Sequence, residues 1–104
     1  MNEQQASTAF DRDGFLNEPA DWNETLAASI AQRDGINNLT PAHWKVLLSL
    51  REHYQRHHSP PLFRHICYVF EFERHCIEHL FPSQREPWRI AGLPNPGEET
   101  KTYM

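Results

Sequence analysis

The sequence has no apolar run approaching the roughly 20 residues that a membrane-spanning helix requires. Met1 is not followed by a basic-then-apolar leader either, so a cytoplasmic protein without a membrane partner is expected. Cysteine is scarce. Cys67 and Cys76 are the only two, and without a secretory context they argue against a disulfide framework. Positive charge is in the minority: 10 Lys and Arg against 14 Asp and Glu give a formal net charge of −4. That balance weighs against a dedicated nucleic-acid binder, because phosphate contacts supply most non-specific affinity. No His-Glu-x-x-His pattern, zinc-finger cysteine pair, phosphate loop, Ser/His/Asp order or conspicuous carboxylate pair occurs. No catalytic residue, metal ligand set or cofactor site is therefore assigned, and 104 residues suit a single domain with a modest core.

What is present reads as helix. Residues 1–8 are polar and expected to be disordered; an Asp13-Gly14 turn signal between Phe10 and Phe15-Leu16 predicts a short β-hairpin or extended lead-in. Asp21 with Glu24 resembles a capping box, followed by Trp22, Leu26 and Ile30 at helical spacing and a stop at Gly35. Thr40 as N-cap and Pro41 at the first helical position open a second helix with Trp44, Leu47, Leu48 and Tyr54 on its apolar face. Ser59-Pro60-Pro61 ends it. A third helical region runs from about Pro61 to Leu80, with Phe63, Ile66, Cys67 and Phe70 on one face. The stripe at Cys76, Ile77 and Leu80 is out of phase with that face, which predicts a break near Glu71 to Arg74. The fold class is mainly α: a small helical bundle carrying an extended C-terminal arm.

That arm, Pro87 to Gly97, is too apolar for a frayed tail. Pro94 and Pro96 fix two φ angles, Gly92 permits a bend or close approach, and Ile90 and Leu93 supply apolar grip. The expected organisation is 1–8 disordered, 9–86 a helical domain, 87–97 a docking arm and 98–104 a mobile tail.

The tail Trp88-Arg89-Ile90-Ala91-Gly92-Leu93-Pro94-Asn95-Pro96 also resembles that of the DsrC/TusE family, whose members end in C/T-K-I-A-G-L-P-K-P-x-x-C and one further residue. Asp13-Gly14-Phe15-Leu16, Trp22, Asp34-Gly35-Ile36, Leu39-Thr40-Pro41-Ala42-His43-Trp44, Arg51-Glu52-His53-Tyr54 and Ser59-Pro60-Pro61-Leu62-Phe63-Arg64 follow the family order. The family includes the gamma subunit of dissimilatory sulfite reductase and the TusE sulfur-relay protein. The resemblance implies a helical fold and protein partners in sulfur trafficking. Its near-terminal cysteine falls on Glu99 here, and the second, present in DsrC proper, falls on Trp88. Neither an indole nor a carboxylate can attack sulfur and hold it as a persulfide. Tyr68 stands where the family typically has lysine, and the stretch from Tyr68 to Leu80 is several residues short, so the pocket that receives the arm is expected to differ.

The functional expectation is a non-catalytic family member that binds a protein of a sulfur-trafficking or sulfur-responsive system. Its binding residues are expected to be Arg64, Trp88, Arg89, Ile90, Gly92, Leu93, Pro94 and Pro96. One alternative is sulfur relay through an internal thiol at Cys76, beside Arg74 and His75. Cys67 and Cys76 lie nine residues apart, on opposite sides of a straight helix, and meet only if it breaks; alone, Cys67 reads as a small buried hydrophobe. A second alternative is a helix-turn-helix-like nucleic-acid regulator using a basic band of Arg51, Arg56, Arg64, Arg74, Arg85 and Arg89. His53 with His57 and His75 with His79 have i, i+4 spacing, yet two ligands do not make a metal site, and a solvated or partner-facing surface is expected. Trp22 and Trp44 read as core residues, and His43 as a first-turn capping residue.

Overall fold

Thr40 and Pro41 start the longest helix in the computed structural model, which describes residues 10–102 and Met104. The Thr40 hydroxyl accepts from the His43 amide, and His43 Nδ1 accepts from the Thr40 amide at 3.0 Å, so two otherwise orphaned N–H groups satisfy each other's residues. His43 Nε2 lies 2.9 Å from the Leu80 carbonyl, to which it donates in this tautomer. The helix runs Pro41–His57 with Val46, Leu47 and Leu50 fully buried, and stops where His58 turns left-handed ahead of Ser59-Pro60-Pro61.

The helix before it, Glu24–Arg33, is α1, and Pro41–His57 is α2. The cap of α1 is Asn23, whose side chain accepts from the Leu26 amide at 2.8 Å, and not Asp21 as the spacing suggested. Pro19–Asp21 forms its own single turn of 3-10 helix, and Trp22 is extended. The helical stripe of α1 therefore begins at Leu26, and Trp22 is freed to reach across the molecule. Gly35, at φ +91°, follows the last turn as expected.

The third apolar region splits into α3, Phe63–Val69, and α4, Cys76–Leu80. The chain reverses between them through Glu71 at φ +57°, with the Phe72 amide donating to the Cys67 carbonyl at 2.8 Å. The predicted break is present, and it has a consequence that periodicity did not give. It brings Cys67 and Cys76 to a Cα separation of 5.8 Å and joins them in a disulfide. Cys67 is thus not a lone buried hydrophobe, and Cys76 is not a thiol in this structure.

The segment expected to be an extended arm begins as a helix, α5, Arg85–Ile90. Pro87 is compatible with this because it occupies the first turn, where amides lack intrahelical partners anyway. Ala91, Gly92 and Leu93 close α5: the Leu93 amide donates to the Trp88 carbonyl and the Gly92 amide to the Arg89 carbonyl, at 3.3 and 2.9 Å. That is the helix-ending pattern that uses a left-handed glycine and packs the residue beyond it against the third residue from the end. Trp88 and Leu93 are each 1% exposed. Only the following residues, 94–97, extend before α6, Glu98–Thr102. The stretch 98–104, expected to be a mobile tail, thus contains a short helix whose Lys101 is buried.

The expected hairpin does not form: there is no strand among the described residues, only one antiparallel bridge, Phe10 to Leu16. Asp11 Oδ1 accepts from the amides of Asp13 and Phe15, which fixes a tight turn without a ladder. Phe15 and Leu16 are both buried rather than alternating. The disordered start expected for residues 1–8 lies outside the described residues. In the assembled fold α5 packs against both α1 and α2, and α3 packs on α4. No described helix is long and apolar enough to cross a membrane.

Candidate functional site

The C-terminal segment is seated by side chains drawn from the N-terminal turn, Trp22, the end of α1 and α2. Trp88 points into the core, its indole N–H donates to the Pro94 carbonyl at 2.7 Å, and Tyr54 of α2 meets its ring edge-on at 6.0 Å. Ile90 is fully buried, and its carbonyl accepts from the Trp22 indole at 2.8 Å. Gly92, at φ +72°, lies so close to Trp22 that a Cβ there would fall 2.2 Å from the ring. Arg51 of α2 donates to the Ala91 carbonyl at 2.8 Å and the Pro19 carbonyl at 3.2 Å, while its guanidinium sits 4.3 Å from the Trp22 ring centroid. Burial pulls the Arg51 guanidinium below its ordinary range.

Electrostatics fix the outer half. Arg89 pairs with Asp34 at 2.9 Å and Glu86 at 3.5 Å and lies over Phe15. The Asn95 amide donates to both Asp11 and Asp13, at 3.0 and 3.2 Å, so the acidic N-terminal turn holds the Pro94-Asn95-Pro96 strap. Pro94 and Pro96 themselves are half-buried. Lys101 of α6 reaches the same Asp13 at 2.5 Å and Glu98 at 3.0 Å. The Lys101 hydrogen bond holds the Asp13 carboxyl below its usual range, and the Asp13 bond followed by that of Glu98 raises the Lys101 ammonium.

Of the residues named from sequence, Trp88, Arg89, Ile90, Gly92, Leu93, Pro94 and Pro96 come together in this one segment. Arg64 does not join them. It is exposed on α3, in a cleft of about 570 Å³ whose walls include Arg74, His75, Thr100 and Met104. Cys76 is bonded to Cys67, and both are buried. Glu99, where the resemblance leads one to expect a terminal cysteine, is exposed on α6. Trp88, where it leads one to expect the second cysteine of DsrC proper, is interior.

Sequence inspection missed the other half of the seat: Trp22, Arg51, Asp34, Asp11 and Asp13. Trp22 and Arg51 were visible as core and basic-band residues, but nothing local signals that one indole and one guanidinium converge on the same stretch of backbone. The basic band itself is dispersed. Arg51 and Arg89 are spent inside, Arg56 pairs with Glu52 at 3.1 Å, and Arg85 donates to the Lys101 carbonyl, so no continuous surface for nucleic acid results. The His53 and His57 rings lie 4.5 Å apart, tilted by 40°, and the His53 imidazole is lowered first by burial and then by His57 and His65. His79 pairs with Glu73 at 3.1 Å and His75 lies 4.0 Å from Glu78. No cluster of three metal-binding side chains exists among the described residues.

Known proteins resemble this chain over most of its length. The family model described as DsrC like protein matches residues 2–98. A Haemophilus influenzae protein named sulfurtransferase TusE homolog is 33% identical over 97 residues, covering 85% of this chain and 88% of that protein. The Escherichia coli sulfurtransferase TusE is 34% identical over 95 residues, covering 83% and 86%. Among solved structures, the oxidized gamma subunit of dissimilatory sulfite reductase from Archaeoglobus fulgidus superposes with a TM-score of 0.74 at 30% identity, over 86% of this chain and 89% of that one. A structure described as dissimilatory sulfite reductase I superposes with a TM-score of 0.76 at 30% identity, over 85% and 86%.

Proposed function

This chain belongs to the DsrC family of sulfur-relay proteins, and from that membership we propose that it acts by binding a protein partner in sulfur trafficking or its regulation, without carrying sulfur itself. One observation carries the reading: the position of one family thiol is a buried tryptophan that closes the core, and the other is a carboxylate. A carrier arm needs a nucleophile at a mobile end. Here the equivalent segment is tied down by Trp22, Arg51, Asp34 and the Asp11-Asp13 turn.

The related activities carried by names such as sulfurtransferase TusE belong to those relatives. Sulfur relay through an internal cysteine is disfavoured by the mutual bonding and burial of Cys67 and Cys76, since an attacking thiolate must be both free and reachable. Partner contact would fall to the exposed parts of the C-terminal segment, Asn95 to Thr102, and to Arg64 on the neighbouring cleft. Incubation with a persulfide donor, followed by mass spectrometry, tests the reading. The expected result is no sulfur adduct on the peptide from Trp88 to Met104; a stable adduct in a Cys67→Ser/Cys76→Ser variant overturns it. Affinity capture from the host with the full chain and with a chain ended after Pro96 tests the binding half: a partner retained by the full chain and lost on truncation is the expected outcome.

A further inference from the structure

A second surface lies on the outer side of α3, next to the cleft that Arg64 and Arg74 share with Thr100 and Met104. Leu62, Tyr68 and Val69 are 71%, 78% and 56% exposed, a concentration of large apolar groups that the core does not use. Around them Arg64 and Arg74 form no ion pair or hydrogen bond with the described residues, and both line the same groove as Leu62, His65, Tyr68 and Phe72. Lys45 stands over the rings of Phe70 and Phe72, at 5.8 and 5.9 Å. Glu73, a carboxylate of the reversal, is turned to His79. In a chain of net charge −4, arginines with no partner among the described residues, flanking exposed apolar side chains, are complementary to an acidic segment with apolar anchors.

The disulfide ties the two walls of this groove together. Arg64 and His65 of α3 precede Cys67, whereas Tyr68, Phe72 and Arg74 lie within the covalent ring that the Cys67–Cys76 bond closes. That ring contains a non-glycine residue in the left-handed region, Glu71, a conformation that persists only when its surroundings enforce it. We propose that this groove is a docking surface for an acidic, apolar-anchored peptide segment of a partner protein, and that it exists only while Cys67 and Cys76 are joined. Opening it is a two-electron step, and because the bond is buried it requires the reversal at Glu71 to open first. A cellular dithiol donates two electrons and two protons, the S–S bond becomes two thiols, and the dithiol leaves as its own disulfide. The inference deepens the binding reading but concerns a face that none of the sulfur-carrying positions touches.

The test is fluorescence anisotropy with a labelled synthetic peptide in which glutamates flank a Leu-Trp pair, against its glutamine counterpart and a single-stranded oligonucleotide. Thiol alkylation and mass spectrometry fix the redox state, and circular dichroism checks the fold of each sample. The oxidised protein is expected to bind the acidic peptide about tenfold or more tightly than either the reduced protein or the glutamine peptide. Arg64→Ala and Arg74→Ala, which leave the disulfide and core intact, are each expected to weaken binding by about tenfold. Equal binding before and after reduction, absence of peptide binding, preference for the oligonucleotide, or cysteines that never pair in the purified protein would each overturn the proposal. Because Arg64→Ala and Arg74→Ala leave the C-terminal segment in place, their failure is separable from failure of the sulfur-free reading, which is judged on the tail adduct.

Discussion

At Trp88 the chain places its largest kind of side chain in the interior. The ring is 1% exposed, edge-on to Tyr54 and hydrogen-bonded to Pro94. It is therefore a core residue as much as an anchor for the arm. Trp88→Ala is expected to cost about 3–5 kcal/mol through the cavity it leaves, seen as a lowered urea midpoint and new cleavage at Arg85 and Arg89. Gly92 is the complementary case, because there is no room for anything larger. A methyl group would meet Trp22 and be forced onto a left-handed backbone, so Gly92→Ala is expected to destabilise by about 1–3 kcal/mol or more. Gly35→Ala is the control: its φ is also positive, but nothing lies within 4 Å of the new Cβ. A smaller drop in melting temperature at Gly35 than at Gly92 is the expected ordering.

At the scale of elements, Arg51 of α2 clamps the end of α5. Arg51 satisfies two carbonyls and covers Trp22; its removal leaves both acceptors with weaker partners. Arg51→Ala is expected to cost about 2–3 kcal/mol, measured by chemical denaturation, with amide exchange rising first at Ala91 to Leu93. The helix α6 is held differently, by the Lys101 and Asp13 pair. With its folded carboxyl lowered, Asp13 contributes stability that is present above the unfolded value of 3.8 and lost as pH falls through the lower folded one. With its folded ammonium raised, Lys101 contributes stability that is present below 10.5 and lost as pH rises through the higher folded value. Docking of α6 should therefore be flat between these limits and fail at both ends. Amide shifts of residues 98–102 followed by NMR across pH check this, and Lys101→Met should remove both transitions.

At the scale of the whole molecule, a segment that resembles a removable arm is part of the core. Trp88, Ile90 and Leu93 join Phe15, Leu50 and Phe81 among the fully buried side chains. A chain ended after Glu86 is expected to lose its cooperative thermal transition, whereas one ended after Pro96 should keep it; circular dichroism melts distinguish the two. Such a result would separate this protein from any design in which the C-terminal segment swings free.

The sequence by itself determined what depends on neighbours a few residues apart. Thr40-Pro41 placed the start of α2, Ser59-Pro60-Pro61 its end, the phase slip after Phe70 the break, and the Ile90 to Pro96 motif the family. These follow from capping, fixed proline φ angles and side-chain periodicity, which act within a turn or two of helix. Local signals also misled where two options were nearly equal, as between Asp21 and Asn23 for the cap of α1, or between a hairpin and a side-chain-fixed turn at Asp11. Only the tertiary structure decided that Trp22 bonds to Ile90 across 68 positions, that Asn95 reaches Asp11 across 84 and that Lys101 reaches Asp13 across 88. The pairing of Cys67 with Cys76 belongs with these, since it required the direction of the reversal at Glu71 and not merely its existence. Partner choice over such separations is set by which groups the packed core brings within hydrogen-bond range, and many indoles, carboxylates and amides in the sequence are chemically equivalent candidates until the core has formed.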